Sequence, residues 1–175
     1  GFGCTPAISP QATPNRYLDA AALHDHLIDS NIDWGQDLFE LERWLRQHPE
    51  ARPIGLAYFN MLDPKTLGID YYPAPGAPNY LFRGDQPYQA RFGPVPGYFA
   101  VSVTLLRGLS FDVADGHGGR KPAARGDYEY FRRFTPIARA GYSIYIYHIT
   151  NGQADSARLD MGLPPLPPTP HRTDP

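Results

Sequence analysis

Apolar and polar positions recur along this chain with two periods. Within residues 142–149, Ile144 and Ile146 fall on one side of an extended segment and Tyr145, Tyr147 and Ile149 on the other. That two-residue period is the signature of a strand. Both sides are apolar, which predicts a strand in a sheet covered on both faces. Residues 26–29, 54–59 and 98–105 carry comparable apolar runs and are expected to be strands as well. A helical period starts abruptly at Trp34 and continues through Leu38, Leu41 and Leu45. Asp33 is the expected N-cap, and Gln36 three residues on completes a capping-box-like pair. Arg43 and Arg46 fall toward the C-terminal end, where the helix dipole favours cations, and His48-Pro49 stops the helix. A second helix is expected over about residues 127–134, ahead of Pro136.

Strand, helix and strand across residues 26–59 make a βαβ unit, whose crossover is expected to be right-handed. The fold class read from these elements is α/β. It is a small, mostly parallel sheet with flanking helices, built from the βαβ unit plus two further strands. Residues 63–96, rich in Pro, Gly and Tyr, are expected to form a long irregular excursion. Residues 1–22 read as a lead-in or linker, 23–150 as a single α/β domain, and 151–175 as a C-terminal extension with a Pro-rich tail.

Composition narrows the function classes. With 175 residues, 42% of them apolar and 13% aromatic, the chain has the make-up of one globular domain. Sixteen basic residues against eighteen acidic ones give a net charge of −2. That balance lacks the electrostatic footprint of a nucleic-acid binder. Cys4 is the single cysteine, so neither a disulfide framework nor a cysteine-based zinc site is expected. The longest apolar run, residues 98–106, is far short of the roughly 20 residues that span a bilayer. His24 and His26 alternate near Asp29, but no third histidine stands at a ligand-like interval. No metal or cofactor is therefore expected.

The densest candidate chemistry is the polar joint ahead of the first helix. Asp29, Ser30, Asn31, Asp33, Trp34, Gln36 and Asp37 cluster there, and Asn60 and Asp63 follow the next strand. In an open α/β sheet, ligands settle beyond the carboxyl ends of strands, near helix N-termini. Carboxylates and amides there could hold the hydroxyls of a sugar, with Trp34 or Trp44 as a stacking surface. The structural alternative is that Asp33 caps the helix while Asp29 and Asn31 tie the turn through their own backbone. Residues 115–122, DGHGGRKP, combine glycines, a histidine and two cations but lack the phosphate-loop order. They read as a surface loop. Ser102, Ser110 and Ser143 stand in no nucleophile-elbow pattern.

The run DSNIDWGQDL, residues 29–38, resembles a recurring pattern of a bacterial family. The family comprises multi-spanning glycosyltransferases of the dolichyl-phosphate-mannose protein mannosyltransferase type, found in planctomycetes and related bacteria. The likeness continues through GLAYFNMLDP, PGYFAVSVTLLRG, FTPIARAGYSIYIYHI and MGLPPLP, and spans nearly all of residues 24–166. It implies that this chain follows the last membrane span of a longer protein, on the extracytoplasmic side of the cytoplasmic membrane. It implies also that the protein transfers a sugar from a polyprenyl-phosphate carrier, using a catalytic carboxylate elsewhere, so this segment has no catalytic residue of its own. The implied partners are its own N-terminal membrane region and a sugar or polyprenyl-phosphate-sugar headgroup. Residues 1–21 do not follow the pattern. A structural packing module of that membrane protein and a free-standing small-ligand α/β enzyme remain the alternatives.

Overall fold

The computed structural model describes residues 35–59, 62–77 and 92–166. The expected strand at 26–29, and with it the first arm of the βαβ unit, lies outside them. The chain adopts an α/β fold around an open five-stranded sheet. Its strands are β1 (Ile54–Ala57), β2 (Tyr71–Pro73), β3 (Gly97–Ser102), β6 (Ala138–Ala140) and β7 (Ile144–Ile149). The order is β2-β1-β3-β7-β6. At one end β2, β1 and β3 run parallel, with Ile54 opposite Tyr71 and Gly55 opposite Phe99. At the other end β7 runs antiparallel to both β3 and β6. A separate hairpin joins β4 (Asp112–Ala114) to β5 (Arg120–Pro122).

Both faces of the sheet are covered, as the pattern of β7 predicts. On one face lies helix α1 (Gln36–Gln47). Its stripe Leu38, Leu41 and Leu45 is fully buried against Ile54, Leu56, Ala100, Ile144 and Ile146. Each such leucine contributes about 1.5–3 kcal/mol by leaving water. The opposite face carries Phe99, Val101, Tyr147 and Ile149, packed under the helical turn α2 (Val103–Leu106), a 3-10 turn (Glu129–Arg133) and helix α3 (Asn151–Asp160). Gly55 in β1 faces this second layer, where the Phe99 ring occupies the place of its missing side chain.

Several expectations are corrected. Helix α1 begins at Gln36 with Gly35 as N-cap (φ 113°), two residues later than the expected cap at Asp33, which lies outside the described residues. The apolar run at 98–105 is strand only to Ser102. Residues 103–106 are buried on every side of a helical turn, and a run with no polar face cannot distinguish the two states. The helix expected at 127–134 is a 3-10 turn, because its bonds Glu129 N–H to Gly126 C=O, Phe131 N–H to Tyr128 C=O and Phe134 N–H to Phe131 C=O all span three residues. The excursion after Asp63 holds regular structure: a 3-10 turn (Pro64–Leu67) and edge strand β2. Pro73 is tolerated in that strand because it lies at the sheet's edge. Residues 151–160 form α3, whose Ala154 enters the core. Among the described residues no helix is long and apolar enough to cross a membrane.

Candidate functional site

The carboxyl ends of β1 and β3 share one edge of the sheet, since the strands are parallel. Because β7 is antiparallel to β3, with Ser102 opposite Ile144, the turn entering β7 arrives at the same edge. The first turn of α1 meets it there. Asp37, 3% exposed, accepts hydrogen bonds on Oδ2 from the backbone N–H groups of Tyr142 (2.8 Å) and Ser143 (2.6 Å). Ser143 C=O in turn accepts from Val103 N–H at 2.7 Å, just past the end of β3. Ser102 Oγ accepts from Phe59 N–H at 3.1 Å, tying the end of β3 to the segment after β1. One buried carboxylate thus joins α1, the β6–β7 turn and β3. Gly141 completes the joint. Its φ of +59° favours glycine, and a Cβ there would collide with the Asp37 carboxylate.

Of the residues read as ligand-binding from the sequence, Asp29, Ser30, Asn31, Asp33, Trp34 and Asn60 lie outside the described residues, as do His24 and His26. Gln36 is exposed at the first position of α1. Asp37 is at the predicted edge, but the bonds above use it to hold backbone. Asp63 accepts from Lys65 N–H at 3.0 Å and caps the 3-10 turn behind it. Trp44 stacks on His48 with ring centroids 4.2 Å apart. It stands nearly two helical turns from Asp37 and is no part of the edge. Among the described residues no group of three His, Cys, Asp or Glu is placed to hold a metal ion.

The Gly-rich segment is the tip of the β4–β5 hairpin. Asp115 Oδ1 accepts from His117 N–H (2.7 Å) and Gly119 N–H (2.9 Å), bonds that hold its carboxyl below the ordinary value. Lys65 Nζ donates to Gly116 C=O at 2.6 Å. Of the serines, Ser110 donates to Ala123 C=O at 2.8 Å, and Ser102 serves Phe59 as described.

No family model, curated protein or solved structure matches this chain. Its chemistry must therefore be read from its own geometry.

One cleft is lined by residues the sequence pattern does not bring together. It has a volume of about 220 Å³ and lies on the face opposite α1. Val103, Leu106 and Arg107 enter it from α2 and its C-cap, Arg132, Phe134 and Pro136 from the 3-10 turn and the segment leading into β6, and Tyr145 and Tyr147 from β7. Burial raises the pKa of the Tyr147 hydroxyl above its ordinary value. Arg139 lies 4.4 Å from the Tyr145 ring centroid, a cation–π contact. The sequence offers no local sign of this cleft, because its residues are distributed over 45 positions from Val103 to Tyr147.

Proposed function

We propose that this chain is an extracytoplasmic accessory domain of a membrane-bound glycosyltransferase that uses a polyprenyl-phosphate sugar, and that it is not catalytic alone. Its partner is the N-terminal membrane region of the same protein. The family likeness of residues 29–38 supports the glycosyltransferase context. The observation that carries the non-catalytic role is Asp37: this motif carboxylate is buried and spent on two backbone amides. A general acid, base or nucleophile must reach substrate, and Asp37 instead holds a helix on a turn. The test is the coding sequence directly upstream together with an activity assay. Apolar spans of about 20 residues are expected there, with transfer from a polyprenyl-phosphate hexose by the full-length protein and none by this chain. An upstream region without spans, or transfer by this chain alone, would overturn the proposal.

Within that role, the uses of Asp37 and Asp63 favour a packing module over a sugar-holding joint. Titration with a hexose or a short polyprenyl-phosphate hexose separates the two. A packing module leaves the amide signals of Gln36, Asp37 and Asp63 unmoved, whereas a ligand site shifts them together.

A further inference from the structure

Strand β6 ends the sheet, and among the described residues no strand pairs with its outer side. Such an edge presents backbone N–H and C=O groups that accept a further strand. β6 carries no proline, and the guanidinium of its charged residue, Arg139, lies over the Tyr145 ring of its inner neighbour β7. Ile137, which leads into β6, is left 53% exposed. Helix α1 covers this end of the sheet: Ala140, with Ala138 beside it, packs in the same core layer as Leu38, Leu41 and Leu45. The helix starts there too, since Asp37 accepts from the N–H groups of Tyr142 and Ser143 in the turn leaving β6. Chain entering α1 at Gly35 therefore arrives at the carboxyl edge of the sheet. β6 is antiparallel to β7, and β7 to β3, so β6 runs parallel to β1, β2 and β3. A strand that ends at this edge and feeds α1 has the same direction.

Handedness chooses between the two open edges, β6 and β2. The connection from β1 to β2 crosses the α1 face, where Leu62, Leu67 and Ile69 join its core layer. The connection from β2 to β3 returns in the opposite direction, and Ala74, Ala77 and Val95 place its two ends on the other face. Opposite directions on opposite faces are one hand, and parallel crossovers are right-handed in about 98% of cases. Helix α1 lies on the first face and leads to β1. Its crossover shares that hand only if the strand before it lies on the β6 side. Reach agrees. Residues 30–34 span at most roughly 16–18 Å when extended. From the β6–β7 turn, the outer side of β2 is four to five strand spacings away, about 19–24 Å, and the outer side of β6 is one to two, about 5–10 Å.

We propose that the outer edge of β6 is a docking surface for residues 26–29 of this chain, HLID, which add to it as a sixth, parallel strand. Leu27 and Ile28 then give one apolar side chain to each face of the sheet. The docking has a consequence for the polar joint. It brings the run from Asp29 to Asp33 over the carboxyl edge beside the β6–β7 turn. Asp63 follows β1, four strand spacings or about 19 Å along the sheet, farther than one sugar ring spans. The inference does not rest on the role proposed above.

The test is NMR on the whole chain, isotope-labelled and also mixed with an unlabelled copy. Backbone NOEs of the parallel pattern are expected between residues 26–29 and 138–140, and within one molecule. Of Leu27→Pro and Ile28→Pro, the variant that removes the N–H facing β6 should speed amide exchange at residues 138–140 by on the order of tenfold. Ala12→Pro, far from the segment in sequence, should leave that exchange unchanged. NOEs from residues 26–29 to 71–73, NOEs at the β6 edge that arise between two copies, or no NOE between 26–29 and any strand would each overturn the proposal.

Discussion

Asp37→Ala removes the acceptor that holds the β6–β7 turn on helix α1. Two backbone N–H groups lose a charged partner, one at 2.8 Å and one at 2.6 Å. Hydrogen bonds to charged groups contribute about 1.5–3 kcal/mol each, and an orphaned buried donor bears the desolvation cost in full. Ser143 is buried, so its N–H is stranded, while Tyr142 is exposed and water can serve its N–H. The expected loss is therefore about 2–4 kcal/mol, less than two full bonds. In a chain of this size that corresponds to a fall in melting temperature of roughly 6–12 °C. Gly141→Ala should be costly for two reasons, its positive φ and the collision of its Cβ with the Asp37 carboxylate. Only the backbone part, about 1–2 kcal/mol, survives once the carboxylate is gone. The double variant is thus expected to be more stable than the sum of the single losses predicts, by about 1–2 kcal/mol. Urea denaturation followed by circular dichroism measures all three. A loss under about 0.5 kcal/mol for Asp37→Ala, or strict additivity with Gly141→Ala, would refute the joint as described.

Gly55→Ala puts a methyl group into the Phe99 ring in the second core layer, and overpacking of that kind is expected to cost about 1–3 kcal/mol in the same denaturation assay. Arg158→Met strands the carbonyls of Phe92, Pro94 and Pro164, which a fully buried guanidinium now satisfies at 2.7–3.1 Å. Leaving buried carbonyls without a donor costs about 1–3 kcal/mol apiece where water cannot replace it, so a loss of at least about 2 kcal/mol is expected, with faster amide exchange across residues 92–95 and 161–164. For Asp115, a folded-state pKa below its ordinary 3.8 means that the hairpin tip is stabilised above the unfolded value and released as pH falls through the folded one. Amide signals of His117 and Gly119 should therefore hold at pH 5 and change together only below the ordinary value of about 3.8. Movement of both between pH 5 and 7 would contradict that direction.

The elements legible in the sequence were those that a local period determines. The stripe Leu38, Leu41 and Leu45 and the two-faced pattern of Ile144–Ile149 reach the core as their spacing requires. Helix α3 was not legible from its period, because Ala154 and Ala157 are its buried apolar side chains and both are small. A sign of it was present all the same. Thr150 and Gln153 form a complete capping box, with Gln153 N–H donating to Thr150 Oγ1 at 3.3 Å and Thr150 N–H to Gln153 Oε1 at 2.9 Å. Thr followed three residues later by Gln is the start signal of a helix. Arg158 was hidden for a different reason. An arginine in a polar helix reads as solvated until its carbonyl partners, up to 66 residues away, are placed around it.

The polar joint shows where sequence logic reaches its limit. A run containing Asp29, Asp33 and Asp37 offers three carboxylates near one helix start, and capping rules select Asp33 by its spacing from Gln36. The folded chain puts Gly35 at the cap and supplies the negative charge of the first turn from Asp37. What makes Asp37 the structural residue is a turn 105 positions away in sequence. No local pattern encodes that distance. Gly141 does leave a trace, as a small residue between Ala140 and Tyr142 at the entrance to the clearest strand. A glycine there reports that something approaches closely, without naming it. The same long-range closure places Val103, Arg132 and Tyr147 around one cleft. The topology of β3 against β7 therefore determines both the joint and the cleft, one on each face of the sheet.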